Sequence, residues 1–298
     1  MLFDNVATRI DQLVLYSMHR RMPESFSQIN QDQPSFEEVL AGTHVDHRLT
    51  PAYNVYAPGE RPVVLHSMGE QIQCVVNVKL HPDPAAPLLI YHHGFSETPY
   101  DSSWRRIFRG RSSIPLSTVC IRAPFHSYWR EPFREAFSSI GRVYQTFAGS
   151  LRLIELVQRQ FEFEGAAFTT LAGVSWGGIT SMLFAGQFGG VRAVAPMLSS
   201  PNLAQVVWDA AKMVGTEVPI SRQELDELLD FTPRCEFDPG RVFPLMGDTD
   251  AFFRLEKHAS VYSSKPVVVH RAHIFSLYGV QPLRDHLFQV MQWAGAHP

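Results

Sequence analysis

Short apolar runs alternate with segments of helical periodicity through most of this chain. Residues 71–80 alternate between apolar and polar positions, which is the pattern of a half-buried strand. Continuous apolar runs predict further strands at residues 87–91, 117–123, 167–172, 191–197, 241–246 and 266–270. Apolar residues at helical spacing occur between or after these runs, at residues 138–161, 178–187, 251–262 and 282–294. Strands and helices in this order predict a mostly parallel, doubly wound sheet of the α/β class.

The first seventy residues do not share this alternation. Helical spacing predicts helices over residues 3–21 and 36–40, the first with apolar positions at Ile10, Leu13, Val14 and Tyr16. We therefore predict a helical N-terminal extension at residues 1–70 and an α/β domain at residues 71–298.

A second departure lies between the predicted strands at 191–197 and 241–246. Residues 199–240 contain two helix-like segments, near 203–214 and 221–229. An insertion here would lie over the carboxyl ends of the strands, where ligands bind in open α/β sheets. It is either a lid that excludes water from a site or a packing element.

Composition agrees with one large folded unit. The 298 residues are 45% hydrophobic and 18% charged, which excludes a disordered chain. Neither the net charge of -3 nor any clustering of basic residues suggests a nucleic-acid partner. The three cysteines form no disulfide framework and have no zinc spacing, which fits a reducing compartment. Because we find no secretory signal and no apolar run of transmembrane length, we expect a cytoplasmic protein without a membrane span.

The most informative motif is Gly173-Val174-Ser175-Trp176-Gly177. A predicted strand precedes it and a predicted helix follows, which is the context of a nucleophile elbow. In such an elbow the serine lies in a strained turn above the sheet edge, and a Cβ on either glycine would collide with a neighbouring strand or helix. The N-terminus of the next helix favours negative charge that develops there. The alternative is a glycine-rich turn in which Ser175 only caps the helix.

A general base and an orienting acid have candidates after the next two predicted strands. A serine hydroxyl is a poor nucleophile until an imidazole accepts its proton, and a carboxylate must hold that imidazole in place. We favour Asp250 over Asp248 as the acid, although either carboxylate could instead cap a turn or a helix. We favour His273 as the base, because His270 lies at a strand terminus and is expected to pack or to make a structural hydrogen bond.

The segment His92-His93-Gly94-Phe95 follows an early predicted strand. A His-Gly turn there brings the backbone N–H of Phe95 toward an acyl oxygen, and the N–H of Trp176 supplies a second donor of an oxyanion hole. The two histidines could instead suggest a metal site. Adjacent residues of a strand face opposite ways and no third ligand is evident, so we predict no metal.

Four segments taken together resemble the α/β-hydrolase superfamily from about residue 71 to the C-terminus. They are His93-Gly94-Phe95, Gly173-Val174-Ser175-Trp176-Gly177-Gly178, Gly247-x-x-Asp250 and His273, in the order of the family. The resemblance implies an eight-stranded, mostly parallel sheet, a Ser175–Asp250–His273 triad and no cofactor. It also implies hydrolysis or transfer of an acyl group, and we expect a small-molecule carboxylic ester or thioester as the substrate. The alternatives are a serine peptidase, an acyltransferase or a non-catalytic binding protein on the same fold.

The substrate pocket is less well defined by the sequence. Pro124-Phe125-His126 resembles the Pro-x-His-Gly segment of some acyl-ester hydrolases, so His126 is a candidate pocket residue. Aromatic residues around the predicted site, among them Trp104 and Trp129, suggest an apolar pocket. Each of these three residues has a packing role as its alternative. Residues 1–70 resemble no family, and Ala272-His273 stands where the superfamily commonly has Gly-His.

Overall fold

A computed structural model describes residues 2–19, 33–95, 97–110, 115–126, 135–215 and 217–297 of the chain. The strands within these ranges are β1 (His44–Val45), β2 (Gly59–Ser67), β3 (Glu70–Lys79), β4 (Leu88–His92), β5 (Ser117–Arg122), β6 (Thr169–Val174), β7 (Ala193–Met197), β8 (Leu245–Gly247) and β9 (Val267–Val269). The α-helices there are α1 (Leu2–His19), α2 (Phe36–Gly42), α3 (Ser102–Ile107), α4 (Ile140–Glu164), α5 (Trp176–Phe188), α6 (Leu203–Val214), α7 (Arg222–Leu229), α8 (Leu255–His258), α9 (His273–Tyr278) and α10 (Gln281–Ala296).

All of these strands form one sheet in the order β1-β2-β3-β5-β4-β6-β7-β8-β9. The pairs β1–β2, β2–β3 and β3–β5 are antiparallel. The pairs β5–β4, β4–β6, β6–β7, β7–β8 and β8–β9 are parallel. The prediction of a mostly parallel sheet is confirmed. The described residues contain nine strands rather than the eight that the resemblance implied, because the two-residue β1 pairs with the edge of β2.

The sheet begins earlier in the chain than residue 71. Strand β2 pairs along its whole length with β3, from Gly59 opposite Val78 to Ser67 opposite Glu70. The extension is therefore not purely helical, although α1 and α2 form near the predicted positions. The pattern of β2 was missed because its first half is exposed and polar, and only its second half is buried.

Side chains of the central strands alternate between two apolar layers, one on each face of the sheet. Leu88 and Ile90 of β4 belong to the larger layer, and Leu89 and Tyr91 belong to the smaller one. Helices α4 and α5 cover the larger layer, and α3 and α10 cover the smaller layer. Both faces are thus buried, which is why the parallel strands appear in the sequence as continuous apolar runs.

The insertion between β7 and β8 contains the two predicted helices. Helix α6 begins after Asn202, whose side chain accepts a hydrogen bond from the N–H of Gln205. Helix α7 begins after Ser221, which forms a reciprocal capping box with Glu224. In the part of the chain that the structure describes, no helix combines the length and the apolar character needed to cross a membrane.

Candidate active site

Ser175 lies at the end of β6, directly before α5, in a strained backbone conformation with φ 55° and ψ -118°. A Cβ on Gly173 would lie 2.2 Å from the backbone of Gly177, and a Cβ on Gly177 would lie 2.1 Å from the carbonyl oxygen of His92. Only glycine fits at both positions, as the elbow requires. Among the described residues the Ser175 side chain makes no capping hydrogen bond to α5, so capping does not explain this serine.

Two parallel strands carry the predicted acid and base to the same edge of the sheet. Asp250 follows β8 and His273 follows β9, and Oδ2 of Asp250 accepts a hydrogen bond from Nδ1 of His273 at 2.8 Å. The two side chains are 0% and 4% exposed, respectively. Oδ1 of Asp250 accepts from the backbone N–H of Phe252 at 2.8 Å and of Phe253 at 2.9 Å, which fixes the orientation of the carboxylate.

The surroundings of His273 favour its charged form. Burial by itself would lower the pKa of His273, but the charge of Asp250, the hydrogen bond from His273 to Asp250 and the charge of Asp11 raise the pKa above its usual value. The rings of Phe252 and Phe253 lie against the imidazole, with centroids 4.5 and 5.6 Å away. Apolar rings on one side and a carboxylate on the other hold the imidazole in one orientation.

Asp248 and His270 form a second carboxylate–imidazole pair in the same two loops. Oδ2 of Asp248 accepts from Nδ1 of His270 at 2.8 Å. The Asp248 side chain is 38% exposed and that of His270 is 64% exposed. The structure therefore buries the Asp250–His273 pair and leaves the alternative pair at the surface.

Ser175 and His273 share one cavity of about 40 Å³. Of the fourteen described residues that line this cavity, these two are the only polar ones. The others are Leu15, Phe95, Phe137, Trp176, Ile179, Leu203, Val206, Val207, Ala210, Phe252, Phe253 and Ile274. Four of them belong to α6, namely Leu203, Val206, Val207 and Ala210. The insertion therefore covers the site, which is the position that a lid would occupy.

The loop after β4 lies beside the elbow. A Cβ on Gly94 would lie 3.5 Å from the Cβ of Ser175, and the next residue, Phe95, lines the cavity. The buried carboxylate of Glu97 holds this loop, because it accepts from the N–H of Gly94 and of Ser103, both at 2.8 Å. Trp176 directly follows Ser175 and is the first residue of α5, so its backbone N–H lies at the N-terminal, electropositive end of that helix. Sequence reasoning missed Glu97, whose only signal is a carboxylate three residues after a turn glycine.

Solved structures with this architecture establish the fold. A carboxylesterase from Nitrososphaera gargenis is 14% identical with a TM-score of 0.51, and the match covers 79% of this chain and 100% of that chain. Est1E from Butyrivibrio proteoclasticus with bound ferulic acid is 14% identical with a TM-score of 0.50, over 76% and 97% of the two chains. The acylaminoacyl peptidase from Pyrococcus horikoshii is 14% identical with a TM-score of 0.51, over 76% and 39%. The chain has the α/β-hydrolase fold.

These likenesses concern the fold alone, since the identities are low. No protein-family model matches the sequence. No curated protein matches it either.

His126 supports the loop beside Ser175 from behind. Its Nε2 donates to the carbonyl oxygen of Glu97 at 2.8 Å, and its ring meets that of His93 edge-on at 4.5 Å. His93 accepts at Nε2 from the N–H of Ala123 and donates from Nδ1 to the carbonyl of Gly94. Burial lowers the pKa of His126 to about 4, so the ring is neutral. His126 is not among the described residues that line the cavity, and its contact with substrate stays a prediction.

The two tryptophans predicted for the pocket have different outcomes. Trp104 belongs to α3, which covers the opposite face of the sheet from Phe95 and Trp176, and it is buried there against Phe108 with Lys79 over its ring. Its assignment to the substrate pocket is therefore corrected to a packing role. Trp129 lies outside the described residues. Among the residues that are described, no group of three or more histidine, cysteine or carboxylate side chains is arranged to hold a metal ion.

Helix α1 contributes two residues to the site that the sequence did not predict. Leu15 lines the cavity, and Asp11 is buried against the loops that carry Asp250 and His273. The predicted apolar positions of α1 are less buried, since Leu13 is 66% exposed and Tyr16 is 41% exposed. A carboxylate on a helix is ordinarily placed in solvent, so the pattern alone does not indicate this face.

Proposed function

We propose that this chain is a serine hydrolase that cleaves a carboxylic ester or thioester through an acyl-enzyme on Ser175. The observation that carries the proposal is the buried Asp250–His273 pair, whose imidazole lines the same apolar cavity as Ser175. A fold used only as a scaffold or a binding module has no need of a strained serine, an imidazole and a buried carboxylate in this arrangement.

The first step follows from the hydrogen bond of His273. Since Nδ1 donates to Asp250, the lone pair of the neutral imidazole is on Nε2. Nε2 takes the proton of the Ser175 hydroxyl while Oγ bonds to the carbonyl carbon of the substrate. The carbonyl oxygen becomes an oxyanion, which the N–H groups of Phe95 and Trp176 stabilise. The Asp250 carboxylate stabilises the imidazolium that forms.

The second step reverses the proton transfer. The imidazolium gives its Nε2 proton to the leaving alcohol or thiol as the tetrahedral intermediate breaks down to the acyl-enzyme. His273 then removes a proton from a water molecule whose oxygen attacks the acyl carbon. Collapse of this second intermediate returns the proton to Oγ of Ser175 and releases the carboxylic acid.

The cavity favours a small, apolar acyl group. Apart from Ser175 and His273, its described lining is apolar and carries no charge that would bind an ionic substituent. A volume of about 40 Å³ has room for roughly three water-sized groups. A short acyl group such as acetyl fits this volume better than a long-chain acyl group does.

Fluorophosphonate labelling tests the proposal directly. We expect the folded wild-type protein to be labelled and the Ser175→Ala variant to remain unlabelled. Ser181→Ala is the matched control, because Ser181 is a buried serine of α5 whose hydroxyl donates to the carbonyl of Gly177 and lies outside the cavity lining. A p-nitrophenyl ester series from acetate to laurate should give its highest kcat/KM at the short end. Folded wild-type protein that is neither labelled nor active on any of these esters would contradict the proposal.

A further inference from the structure

One face of α1 lies on the candidate active site. Thr8, Asp11 and Leu15 are spaced by three and four residues, so they lie on the same side of the helix. The Thr8 hydroxyl donates to the carbonyl of Thr249 at 3.4 Å, and Leu15 lines the cavity. Asp11 lies between them and is completely buried.

The carboxylate of Asp11 accepts three backbone hydrogen bonds from two separate loops. Oδ2 accepts from the N–H of His273 at 2.8 Å and of Ala251 at 3.3 Å, and Oδ1 accepts from the N–H of Ile274 at 3.0 Å. Ala251 directly follows Asp250 in the chain. Asp11 therefore bonds both to the loop that carries the candidate acid and to the candidate base itself.

Helix α9 depends on Asp11 for its N-terminal cap. Its first residue is His273, and the preceding Ala272 has no side-chain oxygen with which to accept an N–H. Asp11 supplies that acceptor from α1, 262 residues earlier in the sequence. A buried carboxylate is costly unless it is hydrogen-bonded, and these three donors satisfy it in one geometry only.

We propose that Asp11 is a positioning residue of this active site, whose carboxylate fixes the backbone of the loops that carry Asp250 and His273. The inference rests on the proposed function, since it concerns how the acid and base of the same site are held in position. This role also makes α1 part of the active site, because Asp250 and His273 are correctly placed only when this helix packs against their loops.

The charge of Asp11 provides a readout that a purely structural role would not move. The described titratable groups that face His273 are Asp250, from the loop after β8, and Asp11, from α1. The ring of His258 of α8 packs edge-on against that of Phe253 at 5.5 Å, and burial lowers the pKa of His258 to about 4, so it stays neutral. Burial raises the pKa of Asp11, whereas the charge of His273 and the backbone N–H bonds lower it. At a pH where Asp11 is ionised, removal of its charge lowers the pKa of His273, and the acid limb of the kcat/KM profile then moves to lower pH.

Two variants of Asp11 disturb its hydrogen bonds, and only one of them removes its charge. In Asp11→Asn the charge is removed, and the amide NH₂ cannot accept from the backbone N–H that it faces. We expect kcat for p-nitrophenyl acetate to fall about 10- to 100-fold with little change in KM. Its acid limb should lie at lower pH than that of the wild type. In Asp11→Glu the charge is kept and the carboxylate is displaced by one methylene, so kcat should fall while the acid limb stays in place. Asp248→Asn, the same change at the exposed pair of these loops, is the matched control and should leave both unchanged.

Folded Asp11→Asn with wild-type kcat and an unshifted acid limb would overturn the proposal. If Asp11→Asn does not accumulate as folded protein, Asp11→Glu decides, and a kcat within twofold of wild type would overturn it. Failure of the proposed function is a different result, because wild-type protein would then take no fluorophosphonate label at all.

Discussion

Replacement of Asp250 by asparagine tests how the site works, because the structure dictates how the new amide must lie. Oδ1 of Asp250 accepts two backbone N–H groups, from Phe252 and Phe253. An asparagine keeps these bonds only with its oxygen at that position, so its NH₂ faces Nδ1 of His273. Nδ1 must then accept, and the ring proton moves to Nε2.

This tautomer cannot take the serine proton. A wrong-tautomer imidazole with otherwise intact geometry costs about 10⁴-fold in kcat, which corresponds to about 5.5 kcal/mol of transition-state stabilisation. The fold should tolerate the change, because the amide keeps both backbone bonds and has the volume of the carboxylate. We expect Asp250→Asn to be folded by circular dichroism and almost inactive on p-nitrophenyl acetate.

Asp248→Asn is the matched control for this measurement. Its partner His270 and its own side chain are exposed, and pairs of that kind contribute about 0–1 kcal/mol. We expect its kcat to stay within twofold of wild type. Asp250→Asn with more than a tenth of wild-type activity, or equal losses in the two variants, would refute the assignment of the acid.

Two further predictions follow from other parts of the structure. The acid limb of the wild-type kcat/KM profile should lie above pH 6.5, because His273 must be neutral to act as a base. Burial lowers the pKa of His273, but Asp250 and Asp11 raise it above its usual value of 6.5. An acid limb below pH 6 in a pH–rate series would contradict this assignment. Trp104→Ala should lower the free energy of unfolding in urea by about 3–5 kcal/mol and leave KM for p-nitrophenyl acetate unchanged, because this ring packs on the far face of the sheet. A several-fold change in KM with an unchanged free energy of unfolding would instead support a contact between Trp104 and substrate.

The predicted elbow and the structure agree because the signal is local. A strand, two glycines around Ser175 and a helix are adjacent in the chain, and the glycines are required by contacts within that same unit. The parallel strands could likewise be predicted from the sequence, because strands buried on both faces are apolar throughout. This placed Asp250 and His273 after neighbouring strands, although the sequence left Asp248 and His270 open as alternatives.

The pocket lining was harder to predict because it depends on which face of the sheet a residue occupies. Trp104 and Trp176 are both buried aromatic residues, and nothing in the local sequence separates them. The helix that carries Trp104 covers one face of the sheet, and the helix that carries Trp176 covers the other. His126 was likewise assigned to the pocket from its motif, and the motif does not indicate its hydrogen bond to the carbonyl oxygen of Glu97.

The sequence by itself determined the α/β class, the strand–turn–helix unit at Ser175 and the strand-end positions of the candidate acid and base, since each is fixed by periodicity or by neighbours in the chain. Only the tertiary structure decided which carboxylate meets which imidazole, because the burial of one pair and the exposure of the other depend on packing between distant segments. It also decided the role of α1. In the sequence, a carboxylate such as Asp11 predicts a solvent-exposed face of the helix. The three backbone N–H groups that bind Asp11 lie more than two hundred residues later in the chain, so only the folded structure shows that this face is buried.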